Sequence, residues 1–169
     1  MHKFLLALVL STAAASAQTT GVPFVNDLAI RLPPTYVPQG SGTTSCNNLG
    51  FVPGAPFPVF YDVTAVGSTA VVLMLGFVGC TPAGIPFLPS QPVGCAGPPA
   101  GTPLTNLWFS VNFGGGSPFP VPGIMSSAGM ARWNFTVPPG PASMWAQAVL
   151  LDPCSSWGFK FTQALGFSW

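Results

Sequence analysis

Residues 57–65 read FPVFYDVTA, and the order of apolar and polar side chains in this stretch indicates the fold class. The odd-numbered positions are all apolar, whereas the even-numbered positions include Pro58, Asp62 and Thr64. Successive side chains of a β-strand point to opposite faces, so one face of this segment would be buried and the other would be polar. The segment predicts a half-buried strand.

Three other segments repeat this alternation: residues 105–113, 131–137 and 159–169. Residues 71–77 are apolar at nearly every position. Residues 144–151 carry an aromatic and an amide side chain on one face and small or aliphatic side chains on the other. We expect the last two segments to be interior strands, or strands that are covered on both faces.

The rest of the chain favours a single all-β domain. Residues 22–32 are expected to add an edge strand, in which Arg31 lies four residues after Asp27. The 20 Gly and 21 Pro of the 169-residue chain cluster between the apolar segments and leave no room for a long helix. We therefore predict one antiparallel β-sandwich of the jelly-roll or Ig-like type, with about seven to eight short strands. Residues 81–103 would form a long ordered loop tethered by Cys80 and Cys95.

The first 17 residues have the features of a secretory signal peptide. The basic residues His2 and Lys3 precede an apolar stretch, residues 4–10, and a small-x-small cleavage site ends at Ala17. We expect residues 18–169 to form the mature domain, secreted to the extracellular space or the cell surface.

The expected mature chain has a net charge of zero, from three cationic and three acidic side chains: Arg31, Arg132 and Lys160, and Asp27, Asp62 and Asp152. Nucleic-acid binding needs clustered Lys and Arg, which this set does not supply, and a polybasic membrane-surface mode fails for the same reason. The longest apolar run, residues 69–78, is half as long as the roughly 20 residues that a transmembrane helix needs. We expect neither a nucleic-acid partner nor a transmembrane helix.

Most catalytic classes lack the side chains that they need. The mature chain contains no His to act as the base of a serine or cysteine hydrolase. A glycoside hydrolase needs a pair of carboxyl groups, but Asp62 lies mid-strand on a polar face and Asp152 precedes a proline, as a surface turn former does. Gaps of 34, 15 and 59 residues between the four cysteines do not fit a zinc site. We expect a protein that is not an enzyme and that uses no metal and no cofactor.

Two short motifs are assigned no function. Asn134-Phe135-Thr136 fits the N-glycosylation pattern but lies inside a predicted strand, so we interpret it as a chance match. Residues 114–116 are all Gly but lack the Lys of a phosphate-binding loop, so they predict a turn.

Three tryptophans are the candidates for ligand binding. Trp108 lies on the polar face of its predicted strand, and Trp145 shares a face with Gln147. Trp157 lies in a predicted loop. An exposed indole between amide side chains can stack on a sugar ring while the amides bind its hydroxyl groups. Most other aromatic side chains fall with the apolar sets of their strands and are expected in the core.

Four segments form a recognisable pattern: AVVLMLGF at residues 70–77, PVGC at 92–95, WAQAVLLDP at 145–153 and GFKFTQALGF at 158–167. In this pattern the chain resembles a group of uncharacterised, exported, Gly/Pro-rich bacterial β-sandwich proteins. The group has a strand ending in Leu-Gly-Phe, a Gly-Cys loop, a strand ending in Leu-Asp-Pro, and a last strand with Asn where this chain has Gln163. No activity is known for the group, so the resemblance implies a fold and not a function.

Four cysteines in an exported chain predict two disulfides: Cys46, Cys80, Cys95 and Cys154. The resemblance implies that Cys46 pairs with Cys95 and Cys80 with Cys154. Proximity along the chain alone favours Cys80 with Cys95, and Cys46 with Cys154.

These features predict a structural or adhesive protein of the cell surface or extracellular matrix, because a surface with so few charges favours self-association or attachment to another surface. One alternative is a carbohydrate-binding module that uses the exposed tryptophans, so a polysaccharide is the other expected partner. A second alternative is a small outer-membrane β-barrel, since alternating aromatic residues ending at Trp169 resemble a terminal barrel strand. The 21 Pro residues argue against that alternative.

Overall fold

The computed structural model describes residues 21–44, 46–77, 80–88, 107–111, 119–153 and 158–169, and for 81–88 and 107–111 it describes the backbone alone. The predicted signal peptide, residues 1–17, lies outside these ranges, and so do Cys95, Cys154 and Trp157. The predicted glycine turn at residues 114–116 also lies outside them.

Within these ranges the chain forms twelve β-strands and no helix. The strands are β1 (Asp27–Arg31), β2 (Pro38–Gln39), β3 (Asn47–Phe51), β4 (Pro58–Thr64), β5 (Ala70–Gly76), β6 (Cys80–Leu88), β7 (Leu107–Val111), β8 (Phe119–Ile124), β9 (Met130–Thr136), β10 (Ser143–Leu151), β11 (Phe159–Phe161) and β12 (Leu165–Ser168). The predicted all-β class is confirmed. The predicted number of strands is too low, because several strands are too short to show an alternating pattern.

Ten of these strands form two sheets, and β6 and β7 form a separate two-stranded ribbon. The four-stranded sheet has the order β2-β1-β4-β9 and is antiparallel. The six-stranded sheet has the order β3-β12-β10-β5-β8, and β11 also pairs with β10. Its β12–β3 pair is parallel, so the sheet is mixed rather than purely antiparallel as predicted.

One hydrophobic core takes side chains from both sheets. The alternation in residues 57–65 is confirmed: Val59, Tyr61 and Val63 are completely buried. The Tyr61 hydroxyl reaches across the core and donates a hydrogen bond to Sδ of Met144 in β10, at 2.9 Å. Burial raises the pKa of the Tyr61 phenol, so the hydroxyl stays protonated.

Trp133 joins the two sheets where β9 of one lies near β8 of the other. Its ring lies against Gly123, where an added Cβ would come within 2.5 Å of the indole. Its Nε1 donates to the carbonyl of Pro122 at 3.4 Å. A side chain larger than hydrogen at Gly123 would displace this ring.

The outer face of the six-stranded sheet is partly covered, because β7 of the ribbon lies against parts of β10, β11 and β5. This explains why Gln147 is completely buried although it points away from the core. The prediction that residues 71–77 and 144–151 are interior or doubly covered strands is confirmed.

Three predicted elements differ from the structure. The segment 159–169 is not one strand, because 162–164 separate β11 from β12. The strand predicted in residues 22–32 is not an edge strand, because β1 lies between β2 and β4. Residues 81–88, predicted as part of a loop, belong to β6, whose pairing with β7 has register shifts between Cys80 and Ile85 and between Pro86 and Leu88.

Among the described residues, a disulfide joins Cys46 to Cys80, with their Cα atoms 5.3 Å apart. Both predicted pairings of these cysteines are therefore wrong, including the one that the resemblance implied. Cys46 directly precedes β3 at the edge of the six-stranded sheet, and Cys80 begins β6. The bond thus tethers the ribbon to that sheet, a proximity created by the fold rather than by sequence spacing.

Candidate functional site

The charged side chains of residues 21–169 are mostly buried. Asp152 and Lys160 form an ion pair of 2.8 Å, and their side chains are 0% and 1% exposed. The prediction that Asp152 lies at the surface is wrong, because the residue, which directly follows β10, is completely buried and its carboxylate contacts the Lys160 ammonium in the interior. This pair contributes no charge to the surface.

Asp27 is also buried, and hydrogen bonds satisfy its carboxylate. It accepts from the Ser41 hydroxyl, from the Gly42 backbone N–H at 3.0 Å and from Nε2 of Gln163 at 2.7 Å. The predicted proximity of Arg31 and Asp27 does not produce an ion pair between them; Arg31 binds Asp62 instead.

Asp62 lies between two arginines on the outer face of the four-stranded sheet. Arg31 Nε donates to Oδ2 at 2.6 Å, while Arg132 donates from Nε to Oδ1 at 2.6 Å and from Nη2 to Oδ2 at 2.9 Å. Burial alone would raise the pKa of Asp62, but the hydrogen bonds and charges of Arg132 and Arg31 outweigh it and lower the pKa. The same bonds raise the pKa of Arg132. Asp62 therefore stays ionised and is unsuited to proton transfer.

Strand register places these charges beside aromatic and amide side chains. Arg31 is opposite Phe60, which is opposite Asn134, so the three form one row across β1, β4 and β9. The next row contains Asp62 opposite Arg132. Tyr36, in the turn after β1, packs edge-on against Phe60 with ring centroids 5.8 Å apart. We call this set the arginine face: Arg31, Tyr36, Phe60, Asp62, Arg132 and Asn134.

A second surface lies on the outer side of the six-stranded sheet. Register aligns Ile124, Ala70, Leu151 and Phe159 in one row across β8, β5, β10 and β11. The neighbouring row is also apolar, and together the two rows form what we call the apolar face: Ile124, Ala70, Leu151, Phe159, Pro122, Val72, Val149 and Phe161. Ile124 is 83% exposed and Leu151 is 49% exposed, whereas Phe161 is 4% exposed, so the apolar face is open to solvent only at the end that contains Ile124 and Leu151.

A cleft of about 390 Å³ lies between the loop after β4 and the loop after β8. Ser68, Thr69, Ser126 and Ser127 contribute to its lining, together with glycine backbone and apolar side chains. The hydroxyl of Ser68 is buried and has no hydrogen-bond partner among the described residues. The lining supplies hydroxyl groups but no charge and no base that would activate a serine.

The structure describes the side chain of only one of the three predicted tryptophans. Trp108 lies in β7, where only the backbone is described, and Trp157 lies outside the described residues. Trp145, in β10, is half-buried, and its ring packs so closely over Gly166 that a Cβ added there would collide with the indole. Trp145 therefore packs over the neighbouring strand β12, and the described side chains do not bring it together with either of the other two.

Two further kinds of site were sought in the described ranges: a metal-ion cluster and a membrane-spanning helix. No cluster of three or more His, Cys, Asp or Glu side chains that could hold a metal ion occurs among residues 21–44, 46–77, 80–88, 107–111, 119–153 and 158–169. The same part of the chain contains no helix long and apolar enough to cross a membrane.

Sequence reasoning did not find the arginine face, although part of the signal was present. Asp62 and Arg132 occupy the polar positions of two strands whose alternation was recognised, so each was correctly expected to face outward. The missing information was the strand order, since β1, β4 and β9 are far apart in sequence and only their pairing brings the three charges together.

The chain matches no protein-family model, no curated protein and no solved structure.

Proposed function

We propose that this protein is an exported, non-catalytic structural or adhesive component of the cell surface or extracellular matrix. Residues 1–17 direct secretion, and the mature domain is a β-sandwich of the jelly-roll or Ig-like type. Its two sheets share one core, which supports that architecture. The protein acts by surface contact rather than by a reaction.

The burial of charge is the observation that carries this proposal. Of the six charged residues in 21–169, four are buried: Asp27, Asp62, Asp152 and Lys160. Only Arg31 and Arg132 expose an appreciable part of their side chains, 28% and 51%. Repulsion between like-charged surfaces keeps proteins apart in solution. With so little exposed charge, two copies of this protein would repel each other only weakly.

Large exposed apolar side chains provide the complementary attraction. Ile124, Phe51 and Phe119 are 83%, 69% and 62% exposed. Ile124 belongs to the apolar face, where Ala70 and Leu151 continue the same row. Extended apolar patches of this kind mark surfaces that bind other surfaces.

The test is concentration-dependent association of residues 18–169 with the disulfide intact, measured by sedimentation velocity. Ile124→Lys places a charge on the apolar face, whereas the matched control Thr136→Lys places the same charge on an exposed position of the other sheet. We expect the native chain and Thr136→Lys to associate and Ile124→Lys to associate at least about tenfold more weakly. A native chain that stays monomeric at every concentration, or equal association of all three proteins, would contradict the proposal.

A further inference from the structure

We propose that the arginine face binds a carboxylate-bearing polysaccharide. The inference rests on the proposed function in one respect, since an exported protein meets extracellular polymers. It uses the outer side of the four-stranded sheet, whereas the proposed self-association uses the six-stranded sheet, so either can fail without the other.

The arginine face has more positive than negative charge. Two guanidinium groups, Arg31 and Arg132, share the single carboxylate of Asp62, which leaves one positive charge in excess. Asp27, the other carboxylate on this side of the sheet, is covered by the loop at residues 40–43 and accepts hydrogen bonds from it and from Gln163. The open surface of the arginine face therefore favours an anion.

Parts of both guanidinium groups are not used in binding Asp62. Arg132 uses Nε and Nη2 for Asp62, so its terminal edge, Nη1 with the outer N–H of Nη2, takes no part in that bond. Arg31 uses Nε for Asp62 and Nη1 for the carbonyl of Tyr36, at 3.1 Å. Asp62 thus holds both groups in place before a ligand arrives, and a guanidinium edge matches the two oxygens of a carboxylate.

The neighbouring side chains favour a sugar polymer over a small anion. Phe60 and Tyr36 supply ring surface beside the charges, and Asn134 supplies an amide at the far end of the Arg31 row. Strands lie about 4.8 Å apart, so this row spans about 10 Å of the sheet. A surface of this length with rings, an amide and one excess positive charge fits an extended chain whose units carry both hydroxyl and carboxylate groups.

The low excess charge argues against nucleic acid, whose affinity depends on neutralising several phosphates at once. It also limits the expected affinity for a polyuronate, which should be weak per site and should fall as salt is added. Repeated copies of the protein on a surface would strengthen such binding through multivalency.

The experiment compares retention on polygalacturonate with retention on fully methyl-esterified polygalacturonate, which keeps the sugar rings but has no charge. Affinity electrophoresis of residues 18–169 gives the dissociation constant for each polymer. We expect binding to the free acid, a loss of binding to the ester, and weaker binding as sodium chloride is raised. Equal binding to the two polymers, or no binding to the acid by folded protein, would overturn the assignment.

Variants locate the site. Arg132→Gln removes the excess charge but keeps an amide that can donate to Asp62, and Arg31 remains to neutralise the carboxylate. We expect at least about tenfold weaker binding to polygalacturonate for this variant. The matched control Met130→Gln changes an exposed side chain of the same strand and should alter binding by less than about twofold. Equal binding by both variants, with native circular dichroism spectra, would show that the arginine face is not the site.

Two further measurements separate the alternatives. Polyglutamate carries carboxylates without sugar rings, so binding as tight as to polygalacturonate would replace the glycan with an acidic polypeptide and overturn the proposal. Ile124→Lys should retain binding to polygalacturonate even if it prevents self-association. Loss of both properties in Ile124→Lys would contradict the assignment of two separate surfaces.

Discussion

Replacing Lys160 with methionine is expected to destabilise the protein strongly, because it leaves the Asp152 carboxylate buried without its cation. The two side chains are 1% and 0% exposed, with 2.8 Å between Nζ and Oδ2. Removing one partner of a fully buried ion pair costs about 3–5 kcal/mol, mainly because the remaining charge is desolvated without compensation. For a domain of this size that corresponds to a fall in melting temperature of about 6–20 °C.

The double variant Asp152→Asn, Lys160→Met distinguishes this mechanism from loss of packing. It removes both charges while keeping side chains of similar size, so we expect it to recover at least half of the free energy lost by Lys160→Met. Arg132→Gln removes a cation from a half-exposed pair and should cost only about 1 kcal/mol or less. Urea unfolding followed by tryptophan fluorescence measures all three. A double variant as unstable as Lys160→Met would refute the uncompensated-charge explanation.

Three other predictions concern pH, a buried amide and the disulfide. Because the pKa of Asp62 is lowered in the folded state, its stabilising contribution is complete above the unfolded-state pKa and is lost as the pH falls through the folded-state pKa. The difference in unfolding free energy between the native chain and Asp62→Asn, measured by urea titrations at several pH values, should therefore shrink in acid. A difference that stays constant with pH would contradict this. Gln163→Ala removes the buried amide that accepts from the Leu28 N–H and donates to Asp27, to the Leu28 carbonyl and to the Gly40 carbonyl, and it should cost about 3–5 kcal/mol. The exposed Asn134→Ala should cost less than about 0.5 kcal/mol by the same assay. Non-reducing peptide mapping should recover a peptide linking Cys46 to Cys80, and a peptide linking Cys46 to any other cysteine would contradict the fold around β3.

Local patterning predicted the strands that have one clear apolar face. The alternation in residues 57–65 and 131–137 corresponds to β4 and β9, because a core on one side and solvent on the other impose a two-residue period on the side chains. The same period did not predict the end of β11, since only one position of the apolar set, Gln163, is polar and the alternation resumes at Leu165.

The interruption between β11 and β12 depends on polar groups supplied by distant parts of the chain. Thr162 accepts from the backbone of Ala148 through its hydroxyl, at 2.9 Å, and from Nε2 of Gln147 through its carbonyl, at 2.8 Å. Gln163 exchanges hydrogen bonds with the backbone of Leu28. These hydrogen bonds take the place of strand pairing at residues 162 and 163. The local sequence does not show that Ala148, Gln147 and Leu28 lie close to them.

Long-range proximity also explains the failures at the cysteines and at Asp152. The partner of Cys46 depends on how the ribbon lies against the edge of the six-stranded sheet, which spacing along the chain does not encode. An Asp before a proline is most often found in an exposed turn, but here the partner Lys160 on β11 allows the carboxylate to be buried. The candidate surfaces required strand order for the same reason.

Sedimentation velocity of the native mature chain at low and high ionic strength tests most directly whether the protein acts through an uncharged, apolar surface. With charge nearly absent from the surface and the apolar face open at Ile124, association should increase with concentration and change by less than about twofold with salt. A chain that is monomeric under both conditions, or whose association disappears as salt is added, would contradict this function.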